Sequence, residues 1–376
     1  MSVARNGSSW GESGVVRPAV ASQPPSPSGN DGWSRNDYDD DDDKLPIAPI
    51  VASVVGALVI VAIVVMARDE RKLTTQTSSF KIDPAIFQAA EAALSKPEIL
   101  KLQISIKELK LGRELSRGAF GEVFRGTFRG EIVAVKRLTP DRRADINQLL
   151  GFLNEAKLMA TMKHERIISF VGVAWKTPLE VHVVTEFMDG GDLRALLIRY
   201  RSEGHPNGYD AGKIKIALHV LEALTYLHSL QPLVLHRDLK SRNILLTSSL
   251  DAKLIDFGVS RERGEHTLTI GVGTLRWMAP EVMQDGHYGQ SADMFSFGIV
   301  LSELDTQLLP YSVAGRPMND AQIIAQVSMG SLKANFTEAA DADVVQLARD
   351  CMAFDPSERP TAIEALHRLR VIASRI

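Results

Sequence analysis

Hydrophobic and polar positions divide the chain into distinct stretches. Residues 1–44 are rich in Ser, Gly, Pro, Asn and Asp, contain few aliphatics, and include the acidic run Asp39 to Asp43. Such a segment cannot bury enough apolar surface to offset the entropy of ordering, so a disordered arm is expected. Ile47 to Ala67 then runs 21 residues without a charge, dominated by Val, Ile, Ala and Leu. As a helix it spans about 30 Å, the thickness of a bilayer core, which predicts a transmembrane helix. Val and Ile lower helix propensity in water, but in lipid the backbone must satisfy its own hydrogen bonds. Pro84 to Ser95 places Ile86, Phe87, Ala90, Ala93 and Leu94 at helical spacing, which predicts an amphipathic helix that packs on the domain C-terminal to it. Val123 to Lys136 reads as two strands around an Arg129-Gly130 turn. Asn147 to Met162 sets Leu149, Leu150, Leu153, Ala156, Met159 and Ala160 three and four apart, the spacing of a helix.

Charge and cysteine content narrow the setting. The chain has 43 basic and 46 acidic residues, a net charge of −3, which argues against nucleic acid as a partner. Its single cysteine, Cys351, offers no disulfide framework and fits a reducing compartment. Arg68, Arg71 and Lys72 follow the apolar stretch directly, with Lys81 nearby, whereas only Arg35 and Lys44 stand close on the other side. That bias predicts a cytosolic C-terminal side. No apolar stretch opens the chain, so Ile47–Ala67 is expected to act as its own insertion signal.

The candidate chemistry is concentrated in short strings. Residues 236–243 read His-Arg-Asp-Leu-Lys-Ser-Arg-Asn, and Asp256-Phe257-Gly258 begins thirteen residues after Asn243. Asp238, Asn243 and Asp256 form a set of oxygen ligands for a hard cation such as Mg²⁺, which usually arrives with phosphates. Asp238 is also placed to take a proton from an incoming hydroxyl. Upstream, Leu115 to Val123 holds Gly118 and Gly121, which let backbone amides approach phosphate with no Cβ in the way. This string leads into strands, whereas a dinucleotide-binding turn would open a helix.

In this order and spacing the strings resemble those of the eukaryotic protein kinases. Ser116 stands where that family has its first loop glycine. Lys136 ends a Val-Ala-Val-Lys strand, Glu155 matches its helical partner, and Thr185-Glu186-Phe187-Met188 resembles the hinge, with Thr185 as gatekeeper. Ala279-Pro280-Glu281, Asp293 to Gly298, and Arg359 as partner of Glu281 complete the pattern. Lys240, two residues after Asp238, and Gly273-Thr274 look Ser/Thr-directed, with the Thr274 hydroxyl expected to bond Asp238 and Lys240. The hinge and Trp277-Met278 have a tyrosine-kinase flavour. The mixture is similar to the tyrosine-kinase-like group, mixed-lineage type.

The resemblance implies an α+β, bilobal fold over 109–374, with a β-rich small lobe and a helical large lobe. Before it come an extracytosolic arm (1–46), the transmembrane helix (47–67) and a juxtamembrane linker (68–108). It implies ATP and Mg²⁺ as cofactors and γ-phosphoryl transfer to protein Ser/Thr hydroxyls, which the apolar stretch and its basic flank would place at the cytosolic face of a membrane. Asp238, Lys240, Asn243, Lys136 and Glu155 would be catalytic, and Asn243 and Asp256 would hold the metal. Leu115, Ser116, Gly118, Gly121, Val123, Ala134, Lys136, Thr185, Glu186, Met188, Asp192 and Leu245 would line the ATP site, Asp192 at the ribose. His236, Phe257, Met159 and Phe170 would stack between the lobes. Thr267 and Thr269 are the activation-loop phosphorylation candidates, and self-association would allow trans-autophosphorylation. Three alternatives remain: a kinase-fold scaffold, a receptor-associated adaptor, and a dual-specificity or tyrosine kinase. A dead scaffold should lack one of Lys136, Asp238, Asn243 or Asp256, and all four are present.

Overall fold

Five antiparallel strands form the first layer: β1 (Leu109–Arg117), β2 (Glu122–Phe128), β3 (Glu131–Arg137), β4 (Phe170–Trp175) and β5 (Val181–Glu186), in the order β1-β2-β3-β5-β4. The β2–β3 turn falls on Arg129 and Gly130, at φ 51° and 90°. Both central residues are left-handed, as a two-residue hairpin requires. The computed structural model describes residues 84–118, 121–257, 274–286, 288–312 and 318–376. The expected arm, the Ile47–Ala67 segment and the start of the linker lie outside the described residues, as do Gly258, Thr267 and Thr269. Among the described residues, no helix is long and apolar enough to cross a membrane.

Helix α1 (Pro84–Leu94) and the short α2 (Pro97–Leu100) precede the sheet, and α3 (Ile146–Thr161) follows β3. Asp145 caps α3 by accepting from the Asn147 amide at 2.9 Å. This helix buries Leu149, Phe152, Leu153, Ala156 and Met159. Leu150, expected inside, is 37% exposed, and Phe152 is inside in its place. The buried stripe centres on Ala156, and at 3.6 residues per turn Leu150 lies about 120° away from it. Helix α1 buries Ala90, Ala93 and Leu94 against α3, and Ile99 of α2 joins the same core. Phe87, expected on the buried face, is 40% exposed, whereas its neighbour Ile86 packs against the core with Ala90, Ala93 and Leu94. The chain then joins the sheet: the Ile104 amide donates to Val173 O at 2.9 Å, and the Val173 amide to Leu102 O at 2.8 Å.

The second lobe is helical. It comprises α4 (Leu193–Ser202), α5 (Ala211–Ser229), α6 (Pro280–Asp285), α7 (Gln290–Thr306), α8 (Asp320–Ser328), α9 (Ala342–Cys351) and α10 (Ala362–Ala373). A small sheet of β6 (Gly191–Asp192), β7 (Ile244–Leu246) and β8 (Ala252–Leu254) lies among them. Asp192, Asp210 and Thr361 cap α4, α5 and α10, Thr361 through a capping box with Glu364. Helix α7 is buried on every side from Ala292 to Asp305, as a helix at the centre of a core must be. The buried Arg359 grips Glu281 with both terminal nitrogens, at 2.7 and 2.8 Å.

Because Ala90 is fully buried in an apolar cluster with α3, Ala90→Asp places a carboxylate among hydrophobic side chains. It is expected to cost about 3 kcal/mol, read as a lower thermal midpoint of the full chain. An unchanged midpoint would show that α1 is not part of this core.

Candidate active site

Side chains alternate along a strand, so Val135 of β3 enters the core and Lys136 turns to the opposite face. There Lys136 Nζ donates to Glu155 Oε1 of α3 at 2.9 Å and to Asp256 Oδ1 at 2.6 Å. One ammonium therefore joins β3, α3 and the loop after β8. Burial works against the Lys136 charge, but the Asp256 and Glu155 carboxylates outweigh it and raise its pKa above that of an ordinary lysine. Burial also penalises Asp256, yet Lys136 wins and the Asp256 pKa falls. Glu155 goes the other way, pushed up by burial in spite of Lys136.

The loop 236–243 lies between α5 and β7. Asp238 Oδ2 accepts from Lys240 Nζ at 2.8 Å and from Asn243 Nδ2 at 3.0 Å, and Asn243 Nδ2 also reaches Asp238 O at 2.7 Å. Asp238 Oδ1 is buried and has no hydrogen-bond partner among the described residues. The Ile255 amide donates to Asn243 O at 3.1 Å, which ties this loop to the one carrying Asp256. Arg237 and Asp256 both sit at positive φ, 64° and 59°. Non-glycine residues persist there only where their surroundings hold them. The hold on Arg237 is visible. Asp293 of α7 accepts from the His236 and Arg237 amides, each at 2.9 Å, and lies 2.9 Å from His228 Nε2.

In the glycine string the Gly118 amide donates to Gly121 O at 2.9 Å. A Cβ on Gly121 would fall 2.6 Å from Arg137 O, so this glycine permits close backbone packing. At Gly118 nothing among the described residues lies within 4 Å of a Cβ. Leu115 and Ser116 are exposed, and Val123 pairs with both Ser116 and Lys136 across the sheet. Ala134 pairs with Thr185, and Leu245 pairs with Asp192. Met188 is buried, and the Glu186 carboxylate is taken by Lys253 and the Ser169 amide, each at 2.6 Å. Asp192 accepts from the Ala195 amide at 2.9 Å as the cap of α4. The His236 and Phe257 rings lie 5.5 Å apart, with Met159 and Phe170 in the same apolar cluster. The Thr274 side chain, and with it the expected bonds to Asp238 and Lys240, lies outside the described residues.

Asn243 and Asp256 offer one amide and one carboxylate to a cation. Among the described residues no group of three or more His, Cys, Asp or Glu is placed to hold a metal. This donor set fits Mg²⁺ that keeps water and takes phosphate oxygens, and not a metal enclosed wholly by protein.

Sequence reasoning gave no role to the three buried acids of α7, Asp293, Glu303 and Asp305. Glu303 Oε1 accepts from Ser241 Oγ at 2.8 Å and Oε2 from Trp277 Nε1 at 2.7 Å, with Arg194 Nη1 at 3.6 Å. A single carboxylate thus bridges the catalytic-loop string and the segment before Ala279-Pro280-Glu281. The available signal is their placement in a mainly apolar helix, where an acid needs partners from elsewhere.

Residues 109–369 match the family described as Protein kinase domain. Serine/threonine-protein kinase STY17 of Arabidopsis thaliana is 33% identical over 275 residues, which is 73% of this chain and 46% of that protein. Probable serine/threonine-protein kinase drkA of Dictyostelium discoideum is 34% identical over 274 residues, 72% of this chain and 41% of that protein. The chain therefore spans less than half the length of these relatives.

Burial pushes the Glu303 carboxyl up to about 7 from an ordinary 4.5, against the hydrogen bonds from Ser241 and Trp277. A folded pKa above the unfolded one means that stability is present in full below 4.5 and is lost as pH rises to 7. Relative to Glu303→Gln, which cannot titrate, the wild type should lose up to about 3 kcal/mol across that window and no more above it. Denaturant midpoints of both proteins at pH 5, 6, 7 and 8 check this. Parallel curves would show that Glu303 does not titrate there.

Proposed function

The chain belongs to the protein kinase domain family, and on that premise we propose that it transfers the γ-phosphoryl group of ATP to Ser and Thr hydroxyls of protein substrates. The observation that carries this reading is the joined set of Lys136, Glu155 and Asp256 beside Asp238, Lys240 and Asn243. Phosphoryl transfer needs positioning and charge neutralisation more than covalent chemistry, and this set supplies both. Asp238 Oδ2 is already committed to Lys240 and Asn243. Oδ1, buried and without a partner among the described residues, is the oxygen that takes the proton of the substrate hydroxyl. Lys240 lies beside it to stabilise the transferring group, and its place two residues after Asp238 supports Ser/Thr over Tyr. Lys136, held by Glu155, orients the α- and β-phosphates. Asn243 and Asp256 hold Mg²⁺, which supplies neutralisation of phosphate charge when bound. Leu115, Val123, Ala134 and Leu245 enclose the adenine, and Gly118 gives the phosphates an open approach.

The reading extends to the membrane. Ile47–Ala67 spans it, residues 1–46 lie outside, and residues 68–108 link the span to a cytosolic kinase domain. The support is the uncharged stretch with Arg68, Arg71 and Lys72 behind it. Thr267 and Thr269 are the proposed sites of activating phosphorylation, added in trans by a second copy.

Asp238→Asn should bind MgATP near normally and lose turnover by about 10²- to 10⁴-fold. Wild-type turnover in that variant would sink the assignment. Phosphoamino-acid analysis of labelled substrate should give phosphoserine and phosphothreonine, and a predominance of phosphotyrosine would overturn the specificity.

Topology has its own check. Protease outside intact cells should trim only the N-terminal arm. Loss of the kinase domain under those conditions, or a fully soluble chain after lysis, would refute the membrane reading.

A further inference from the structure

Glu122 follows Gly121 directly and opens β2, yet its side chain is only 2% exposed. A carboxylate so deep needs cations, and it has two. Arg117 Nη1 stands 2.7 Å from Oε1, and Arg137 Nε donates to Oε2 at 2.7 Å. The register explains the meeting, because Glu122 is the cross-strand partner of Arg117 on β1 and of Arg137 on β3. The three side chains therefore share one face across three strands. Val123 and Lys136, one residue along, are partners on the opposite face, where Lys136 meets Asp256.

Each arginine is fastened again beyond Glu122. Arg117, itself 58% exposed, takes the Glu114 carboxylate through Nε at 3.1 Å and Nη2 at 2.9 Å. The Arg137 guanidinium lies 4.5 Å from the centre of the Phe124 ring. The result is a latch on the face of the sheet that also carries Val133 and Val135. It binds the strand before Gly118 to the strand after Gly121, and both to the residue next to Lys136.

We propose that Glu122 is a positioning residue for nucleotide binding. Resting on the phosphotransfer reading above, it fixes Gly118 and Gly121 relative to Lys136 through Arg117 and Arg137, and it touches no nucleotide. An exposed Arg117–Glu114 pair alone holds little. The buried Glu122 gives Arg117 a second anchor that is itself tied to β3. Ser116, in the place of a loop glycine, lies one residue from this latch. Glutamine keeps the shape of Glu122 but has no charge with which to satisfy two guanidinium groups at once.

The test uses the full chain. Glu122→Gln should raise the KM for MgATP about tenfold, with kcat and the KM for protein substrate within about twofold of wild type. Its thermal midpoint without nucleotide should fall by only a few degrees. Arg117→Ala should shift the KM for MgATP in the same direction by about threefold, and Glu122→Asp should fall between wild type and Glu122→Gln. A purely structural role would lower the active fraction, and so kcat, at unchanged KM; that outcome, or an unchanged KM for MgATP, would overturn the proposal. Calorimetric Kd values for MgATP on wild type and Glu122→Gln separate the two readings. A wild type that binds but transfers no phosphate sinks the phosphotransfer reading alone, and equal Kd values in the two proteins sink the latch alone.

Discussion

A carboxylate sealed inside a helical core can exist only where other groups hold it, and the organisation of this molecule depends on that constraint at Asp293. Its oxygens are met by two backbone amides of the catalytic loop and by His228. The dependence is mutual. Without those donors the buried charge would cost several kcal/mol; without the carboxylate, the left-handed Arg237 would lose the partner of its amide. The same arrangement recurs along α7. Ser296 donates to Trp277 O, Ser302 to Asn335 O, Glu303 accepts from Ser241 and Trp277, and Asp305 accepts from Gly208 and Thr337. Each buried polar group on this helix is an attachment point for an irregular segment. Loops that carry chemistry thus acquire fixed positions without belonging to a sheet or helix.

The cleft above is organised by charge in a different way. Lys136 is shared between two acids from separate elements, so the β-rich lobe, its long helix and the Asp256 loop come to one point. Across the sheet, Glu122 is the mirror of that arrangement, one acid shared between two cations. Strand alternation makes both possible, since consecutive residues of β3, Lys136 and Arg137, serve opposite faces. The two polar centres are therefore separated by one backbone thickness and can be set relative to each other without any side chain crossing the core.

What was legible beforehand was whatever is local. The Arg129-Gly130 turn, the strands around it and the helix near residues 147–162 come from spacing over a few residues. The strings around Asp238 and Asp256 are equally short, and the structure brings them together with Lys136. What was hidden is the long-range component. Nothing near Asp293 in sequence says that its partners lie 57 and 56 residues earlier. Nothing in the string around Glu122 shows that it meets Arg117 and Arg137, because that depends on three strands in register. Leu150 and Phe152 exchange places because two bodies, the sheet and α1, decide which face of α3 is inside. Phe87 was assigned inward because periodicity marks a face but does not say how much of it is covered.

The docking of α1 on α3 has a consequence for any ligand that would seek the same surface. Ala90, Ala93 and Leu94 already fill it, and they are joined to the domain through Ile99 and the Leu102–Ile104 pairing with β4. A small molecule or peptide aimed at this surface of α3 therefore meets α1 first. It must displace a resident segment held by a short tether at an effective concentration on the order of millimolar or more. Apparent affinity at that face is discounted accordingly, and binders selected against a chain trimmed at residue 109 should lose much of their strength on the intact one.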